Sequence, residues 1–422
     1  MIAVLRSSWA LLLGMFLLMV GNGLQGSLLG VRGAIEGFEP GTLSWVISGY
    51  FVGFLGGSLL APRLISRVGH VRVFAAMGSL VSAAFILYAA IPDVWAWALL
   101  RLVVGFAFSA IYIVAESWMN DAADNSTRGK ALSLYMVVQM LGIIAAQALL
   151  GAADPAGYEL FVLISVLVSI AFMPILLSVS PAPALRQTSR MTLRRLFRTS
   201  PLGFVGAFLV GAVYSVMFGM AAVYGTERDL SVPEIATFVS AIYLGGLALQ
   251  WPAGWISDRV DRRKLIIVIA VICAASCILG AVFGGELWAL LAAAFLIGGT
   301  VNPLYALMIA HTNDFLGQDD MPAAAAGLMF IGGVGAIGGP LIVGALMGPV
   351  GPSAFFLYIL VCMAAIIAYG LFRMTRRPAK PAQETGPYAA VAPNLGPLAV
   401  GAVEAAAGEP AEGGARPRDQ EM

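Results

Sequence analysis

Residues 101–121 read RLVVGFAFSAIYIVAESWMND, and 193 positions later residues 294–314 read AFLIGGTVNPLYALMIAHTND. Both are apolar runs that close on Asn-Asp, with Gly105, Tyr112, Asn120 and Asp121 falling on Gly298, Tyr305, Asn313 and Asp314. As a helix, either stretch rises about 32 Å, which spans a hydrocarbon core about 30 Å thick. The same offset lays Tyr50 on Tyr243, Gly53 on Gly246, Gly26 on Gly219, and Gly142 and Gly151 on Gly335 and Gly344. Glycine matches are cheap in a chain holding 49 glycines. The tyrosine and Asn-Asp matches at one offset are not, so the chain is read as a duplication. Six apolar runs separate equivalent positions, an even number, so the copies run parallel about an axis along the membrane normal. Two such bundles leave a cavity between them.

Hydrophobic residues make up 60% of the 422 and charged residues 11%, with a mean hydropathy of +0.89. A soluble domain carries about 25% charged residues, so lipid is the solvent this surface fits. Apolar runs of crossing length occur at 8–30, 43–62, 73–91, 95–118, 131–152, 158–179, 202–225, 234–255, 265–283, 287–310, 323–347 and 353–373. The pattern predicts an all-α polytopic membrane protein, twelve transmembrane helices in two parallel six-helix pseudo-repeats. The run after Arg6 has no small-residue cleavage site behind it and is read as the first span rather than a signal peptide.

Orientation follows from Lys and Arg. With the N-terminus inside, the inner segments hold Arg6; Arg63, Arg67 and Arg72; Arg128 and Lys130; Arg186, Arg190, Arg194, Arg195 and Arg198; Arg259, Arg262, Arg263 and Lys264; and Arg373, Arg376, Arg377 and Lys380. Only Arg32 and Arg228 fall outside. The expectation is a multi-pass protein of a bacterial cytoplasmic membrane with both termini cytoplasmic. Residues 1–179 form the N-terminal six-helix half and 202–373 the C-terminal one. Residues 180–201 are a basic cytoplasmic linker, lying on the inner leaflet or solvated. Residues 374–422, rich in Pro, Ala, Gly and Glu without periodicity, read as a disordered cytoplasmic tail.

Net charge is +1, and no basic patch interleaves with stacking aromatics, which excludes nucleic acid as a partner. Cys273, Cys277 and Cys362 sit inside apolar runs and make no metal spacing with His70 and His311, so no metal or cofactor is expected. Neither a His-Glu-x-x-His motif nor a clustered nucleophile and base is present, which argues against an enzyme. Asn125-Ser126-Thr127 matches a glycosylation sequon but falls on the cytoplasmic side.

Gly254-Trp255-Ile256-Ser257-Asp258-Arg259-Val260-Asp261-Arg262-Arg263-Lys264 resembles the loop signature of the major facilitator superfamily, and the resemblance extends over residues 8–375. The first-half copy, Pro62-Arg63-Leu64-Ile65-Ser66-Arg67-Val68-Gly69-His70-Val71-Arg72, keeps Arg67 and Gly69. It has Pro62 for the glycine and Ser66 for the aspartate. Arg101-Leu102-Val103-Val104-Gly105 resembles the family's embedded arginine motif. Gly335-Ala336-Ile337-Gly338-Gly339-Pro340 resembles its antiporter motif but stands in span 11, whereas span 5 has Ala146-Gln147. Glu116-Ser117-Trp118-Met119-Asn120 is similar to the YcaD-like branch. The resemblance implies a secondary active transporter, a monomer in the bilayer, moving a small organic solute by alternating access. A non-transporting membrane sensor or assembly partner on the same fold is the alternative. No Gly-x4-Gly-Lys-Ser/Thr loop is present, so a gradient supplies the energy; Arg101 and Glu116 motivate the expectation that the coupling ion is the proton.

Candidate residues follow from polar groups inside spans. Arg101, where a charge costs from about 2.5 to over 10 kcal/mol, shares a helical stripe with Gly105, Tyr112 and Glu116. It either faces the cavity, where it binds an anionic group or tunes a nearby proton site, or pairs with backbone carbonyls. Glu116 is the candidate proton-coupling carboxylate, or else a gate carboxylate paired with a loop arginine such as Arg128. Asn22, Gln25, Leu29, Arg32 and Glu36 form a stripe in span 1. Asn22 and Gln25 are candidate substrate ligands there, and Arg32 with Glu36 is a gate pair or a plain surface ion pair. Span 10 contributes Asn302 and Tyr305 with Ala294 in place of the arginine, and span 5 contributes Gln139, with Gln147 as a further amide. Arg67, Asp258, Arg259, Arg262 and Arg263 are candidate gating residues, with Asp258 capping a neighbouring span.

Overall fold

The computed structural model describes residues 2–121, 125–177 and 191–376, together with Gly386 and Tyr388. In chain order the helices are α1 (Ile2–Ile35), α2 (Pro40–Val68), α3 (His70–Ala90), α4 (Val94–Asp121), α5 (Asn125–Leu149), α6 (Glu159–Leu176), α7 (Leu193–Thr199) and α8 (Pro201–Gly219). They continue as α9 (Ala221–Glu227), α10 (Val232–Ser257), α11 (Arg262–Phe283), α12 (Leu287–Asn313), α13 (Met321–Val350) and α14 (Ala354–Arg376). All but the short α7 and α9 contain a stretch long and apolar enough to cross a membrane, twelve in all among the described residues. The chain is an all-α, multi-pass membrane protein of two six-helix repeats.

The sequence starts these helices with proline, whose missing N–H costs nothing in a first turn: Pro40, Pro201, Pro233 and Pro322 lie in the first turns of α2, α8, α10 and α13. Ser200 caps α8 by accepting the Gly203 N–H at 3.2 Å, and Ser231 with Glu234 makes a reciprocal capping box on α10. The expected seventh span, 202–225, is interrupted. It stops at Gly219 and resumes as α9, a break that lets α9 meet α1, where a Cβ on Gly30 would stand 2.8 Å from Ala222 Cβ. Of the linker, residues 180–190 lie outside the described residues. Its end forms α7, which buries Leu196 and pairs Arg195 with Asp320 at 2.7 Å. The tail beyond Arg376 lies outside the described residues except for Gly386 and Tyr388.

Packing inside each half is backbone on backbone. A Cβ on Gly53 of α2 would fall 1.8 Å from the Leu102 carbonyl oxygen of α4, and one on Gly105 would fall 2.0 Å from that of Tyr50. In the second half Gly245 and Gly298 make the same crossing, against the carbonyls of Phe295 and Ile242. Leu102 and Gly105 correspond to Phe295 and Gly298 at the offset of 193, but Tyr50 and Gly53 correspond to Ile242 and Gly245, one residue less. The single offset is thereby corrected. The second half carries one extra residue between α10 and α12, so the structural counterpart of Tyr50 is Ile242 and that of Gly53 is Gly245.

The close approaches between halves gather toward the arginine-poor end. There a Cβ on Gly344 would meet Pro40 O at 2.7 Å, and one on Gly219 would meet Ile47 at 2.3 Å. Nearer the middle, Ser48 donates to the Ile337 carbonyl at 2.9 Å.

Candidate functional site

A chamber lies between the halves, with about 1110 Å³ of non-atom space including its solvent-filled mouth. The first half contributes Asn22 and Ser27 from α1, Tyr50, Phe51 and Phe54 from α2, Arg101 and Tyr112 from α4, and Gln147 from α5. The second half contributes Tyr214 and Phe218 from α8, Tyr243 from α10, Tyr305 from α12 and small residues of α13. Among the described residues no carboxylate lines it, so Arg101 is its one full charge.

Arg101 is 6% exposed. Nη1 donates to Gln25 Oε1 at 3.0 Å, and the guanidinium stands 4.9 Å from the centre of the Tyr50 ring. Its Nε, and the Nε2 of Gln25 behind it, are buried without a hydrogen-bond partner. One amide contact and one cation–π contact, worth about 2 kcal/mol when desolvated, do not satisfy a fork of five donors. The guanidinium is thus a desolvated cation with few acceptors around it. Around it Asn22, Tyr50 and Tyr112 line the chamber together, and the Tyr112 hydroxyl reaches Met19 Sδ at 3.3 Å. Across the chamber the Phe218 ring lies 4.1 Å from Tyr214 and 4.4 Å from Tyr243, centre to centre. The arrangement offers a planar or apolar body an aromatic wall on one side and a cation on the other.

Several candidates sit elsewhere. Gln25 is behind the arginine rather than on the chamber surface. Asn302 is turned along its own helix, donating to the Gly298 carbonyl at 3.0 Å, and Gln139 is buried outside the lining. Gln147 does line the chamber and accepts from Ser27 at 2.7 Å. Glu116, fully buried, is not part of the lining; it lies close enough to Tyr135 of α5 to act on it electrostatically. Arg32 pairs with Glu36 at 2.6 Å and donates to the carbonyls of Pro155, Ala156 and Gly157, so the pair braces the α5–α6 loop of its own half rather than joining the two halves.

The loop after α10 is organised around Arg262, only 3% exposed. It forms a buried ion pair with Asp314 at the end of α12, donates to the Ala310 carbonyl at 3.3 Å and to Ser257 Oγ at 3.2 Å, and lies 3.7 Å from Asp258. The carboxylate that caps α11 is Asp261, which takes the Arg263 N–H at 3.0 Å; Asp258 instead closes the end of α10. Arg263 pairs with Asp261 at 3.1 Å, and Arg259 folds back on the Trp255 ring at 4.0 Å. Arg67 is exposed and forms no ion pair among the described residues. One residue less than the α4 offset brings His70 to the place of Arg262, facing Asp121 where Arg262 faces Asp314.

Among the described residues no group of three or more His, Cys, Asp or Glu is placed to hold a metal ion. Tyr214 and Phe218, four apart on α8, were not legible as site residues, because aromatics at helical spacing in an apolar run read as core.

The family profile of the Major Facilitator Superfamily matches residues 11–248 and 204–403. An uncharacterized MFS-type transporter of Yersinia pestis is 26% identical over 350 residues, 82% of this chain and 88% of that protein. The uncharacterized MFS-type transporter YcaD of Escherichia fergusonii is 26% identical over 379 residues, 89% and 98% respectively. Among solved structures, the nucleoside transporter NupG superposes with a TM-score of 0.72 at 15% identity, covering 89% of this chain and all of that one. The inward-facing, occupied bacterial homologue of the lysosomal transporter Spinster gives 0.67 at 14%, covering 89% and 97%. With its fold, its two repeats and a profile spanning most of its length in agreement, the chain belongs to the Major Facilitator Superfamily.

Proposed function

We propose that this protein is a secondary active transporter of a small organic anion with an aromatic or apolar body, working by alternating access and driven by protons. The observation that carries the reading is Arg101, a buried cation on the wall of a chamber that no carboxylate among the described residues lines. A monoanion in the chamber pairs with the guanidinium, and charge-assisted bonds of this kind contribute about 1.5–3 kcal/mol each. Aromatic rings from both halves, Tyr50 and Phe54 against Tyr214, Phe218 and Tyr243, then close on the cargo's body. The YcaD-like branch is the sub-family this reading favours, supported by identity over nearly the whole length of that protein.

The basic end is taken as cytoplasmic. With the halves pressed together toward the arginine-poor end, the chamber is then served from the cytoplasm in this conformation. Glu116 stands about 22 Å along α4 from Arg101, so proton and cargo use different places on one helix. The test compares metabolites in medium and cytoplasm for cells lacking the protein, overexpressing it, or overexpressing Arg101→Ala. A carboxylate- or phosphate-bearing compound that tracks expression of the wild type and not of the variant supports the reading. A compound that follows both equally removes Arg101 from the site.

A further inference from the structure

The elbow between α10 and α11 carries a seat that the transport reading does not use. Tyr388 lies on it. The Tyr388 backbone N–H donates to Asp258 Oδ1 at 2.7 Å, its hydroxyl accepts from Gln250 Nε2 at 3.0 Å, and Arg262 donates to the carbonyl of Gly386. The ring rests on Gly254. A Cβ there would stand 2.5 Å from Tyr388 Cδ1 and 2.8 Å from Cε1, and the three nearest atoms would all be those of Tyr388. Gly254 and Asp258, two residues of the loop signature, thus meet Tyr388, and Arg262, a third, meets Gly386 beside it, all more than a hundred positions downstream.

We propose that the C-terminal tail is an intramolecular ligand of this elbow, with Tyr388 as its anchor and Gly254 as the floor of its seat. Glycine supplies the space for the ring, Arg262 and Asp258 hold the backbone that leads into it, at the Gly386 carbonyl and the Tyr388 N–H, and Gln250 donates to the phenol. Burial pushes the Tyr388 phenol up from its ordinary pKa, which keeps it neutral under the amide. The seat exists on one half only. In the first-half copy Pro62, Ser66 and His70 stand for Gly254, Asp258 and Arg262, which removes the floor, the carboxylate and the guanidinium together. The tail therefore marks the second half alone, and any rearrangement of this elbow is made with the tail attached or after releasing it.

Hydrogen exchange of tail peptides in the full-length protein in nanodiscs tests the assignment. The Tyr388 amide is expected to exchange at least tenfold more slowly than in an unstructured chain. Both Tyr388→Ala and Gly254→Ala are expected to bring it to within about threefold of that reference. Tyr388→Ala lies outside the bundle, and the new methyl of Gly254→Ala meets the tail first, so folding of the spans is not at stake in either. Unprotected exchange in the wild type overturns the proposal. So does protection that ignores either substitution, because the tail would then be held somewhere other than this seat.

Discussion

Replacing Gly344 by alanine should force the arginine-poor end apart. Its new Cβ would lie 2.5 Å from Ser44 Cβ and 2.7 Å from the Pro40 carbonyl oxygen, where ordinary contact begins at 3.4 Å. The shortfall is about 0.7–0.9 Å, against a backbone carbonyl on the opposite half that has no rotamer to escape into. Overpacking of this size costs about 1–3 kcal/mol. The cost falls only on the conformation in which the halves touch here and disappears when they part, so the equilibrium shifts about 5- to 150-fold toward opening at this end. The assay uses Ser48→Cys, a buried position whose hydroxyl bonds across the halves to Ile337, in a background with Cys273, Cys277 and Cys362 replaced by alanine. Labelling by a membrane-impermeant maleimide from outside should accelerate at least fivefold on adding Gly344→Ala. A rate unchanged within twofold, or a slower one, would refute both the contact and the rocking motion built on it.

Glu116→Gln should abolish accumulation against a gradient while sparing downhill exchange in proteoliposomes; accumulation retained at wild-type level removes the proton role. Arg262→Ala breaks the buried ion pair with Asp314, the kind of loss that costs up to about 3–5 kcal/mol, and should lower the melting temperature in detergent more than Arg259→Ala, whose side chain covers Trp255. Gly105→Ala drives a methyl group into the Tyr50 carbonyl, 2.0 Å away. Its yield of monodisperse protein in size-exclusion chromatography should collapse, while Gly56→Ala, with open space beside it, should match the wild type.

The fold was legible because its signal is physical and long. Twelve apolar runs of crossing length have no other solvent, and a duplicated Tyr and Asn-Asp pattern survives drift better than bulk apolarity does. Arg101 was legible for the related reason that a charge inside such a run demands an explanation. What escaped reading is what apolar patterning conceals. Tyr50, Tyr214, Phe218 and Tyr243 look like core aromatics until tertiary packing leaves a space beside them. Gln25 and Asn302 lie on the right helices, but their amides are spent on Arg101 and on a helix carbonyl respectively. The one-residue slip between α10 and α12 hid behind abundant glycine, since Gly245 and Gly246 make either register look sound. Tyr388 gave no sign, because a lone aromatic in a Pro- and Ala-rich tail has no periodicity to mark it.

The glycine seams also say where this molecule is stiff. Helices α2 with α4 and α10 with α12 touch carbonyl to Cα. Helices α8 and α13 do the same, with a Cβ on Gly335 placed 2.1 Å from the Phe208 oxygen. Paired in this way, helices resist shear as a laminated beam does, because any slide drives one backbone into the other. The interruption at Met220, between α8 and α9, lies beside the contact of α9 with α1. Met220 is itself fully buried and hydrogen-bonded on both sides, from its N–H to Val216 O and from Tyr224 N–H to its own carbonyl, so the two halves meet there through a bend as close-packed as the seams.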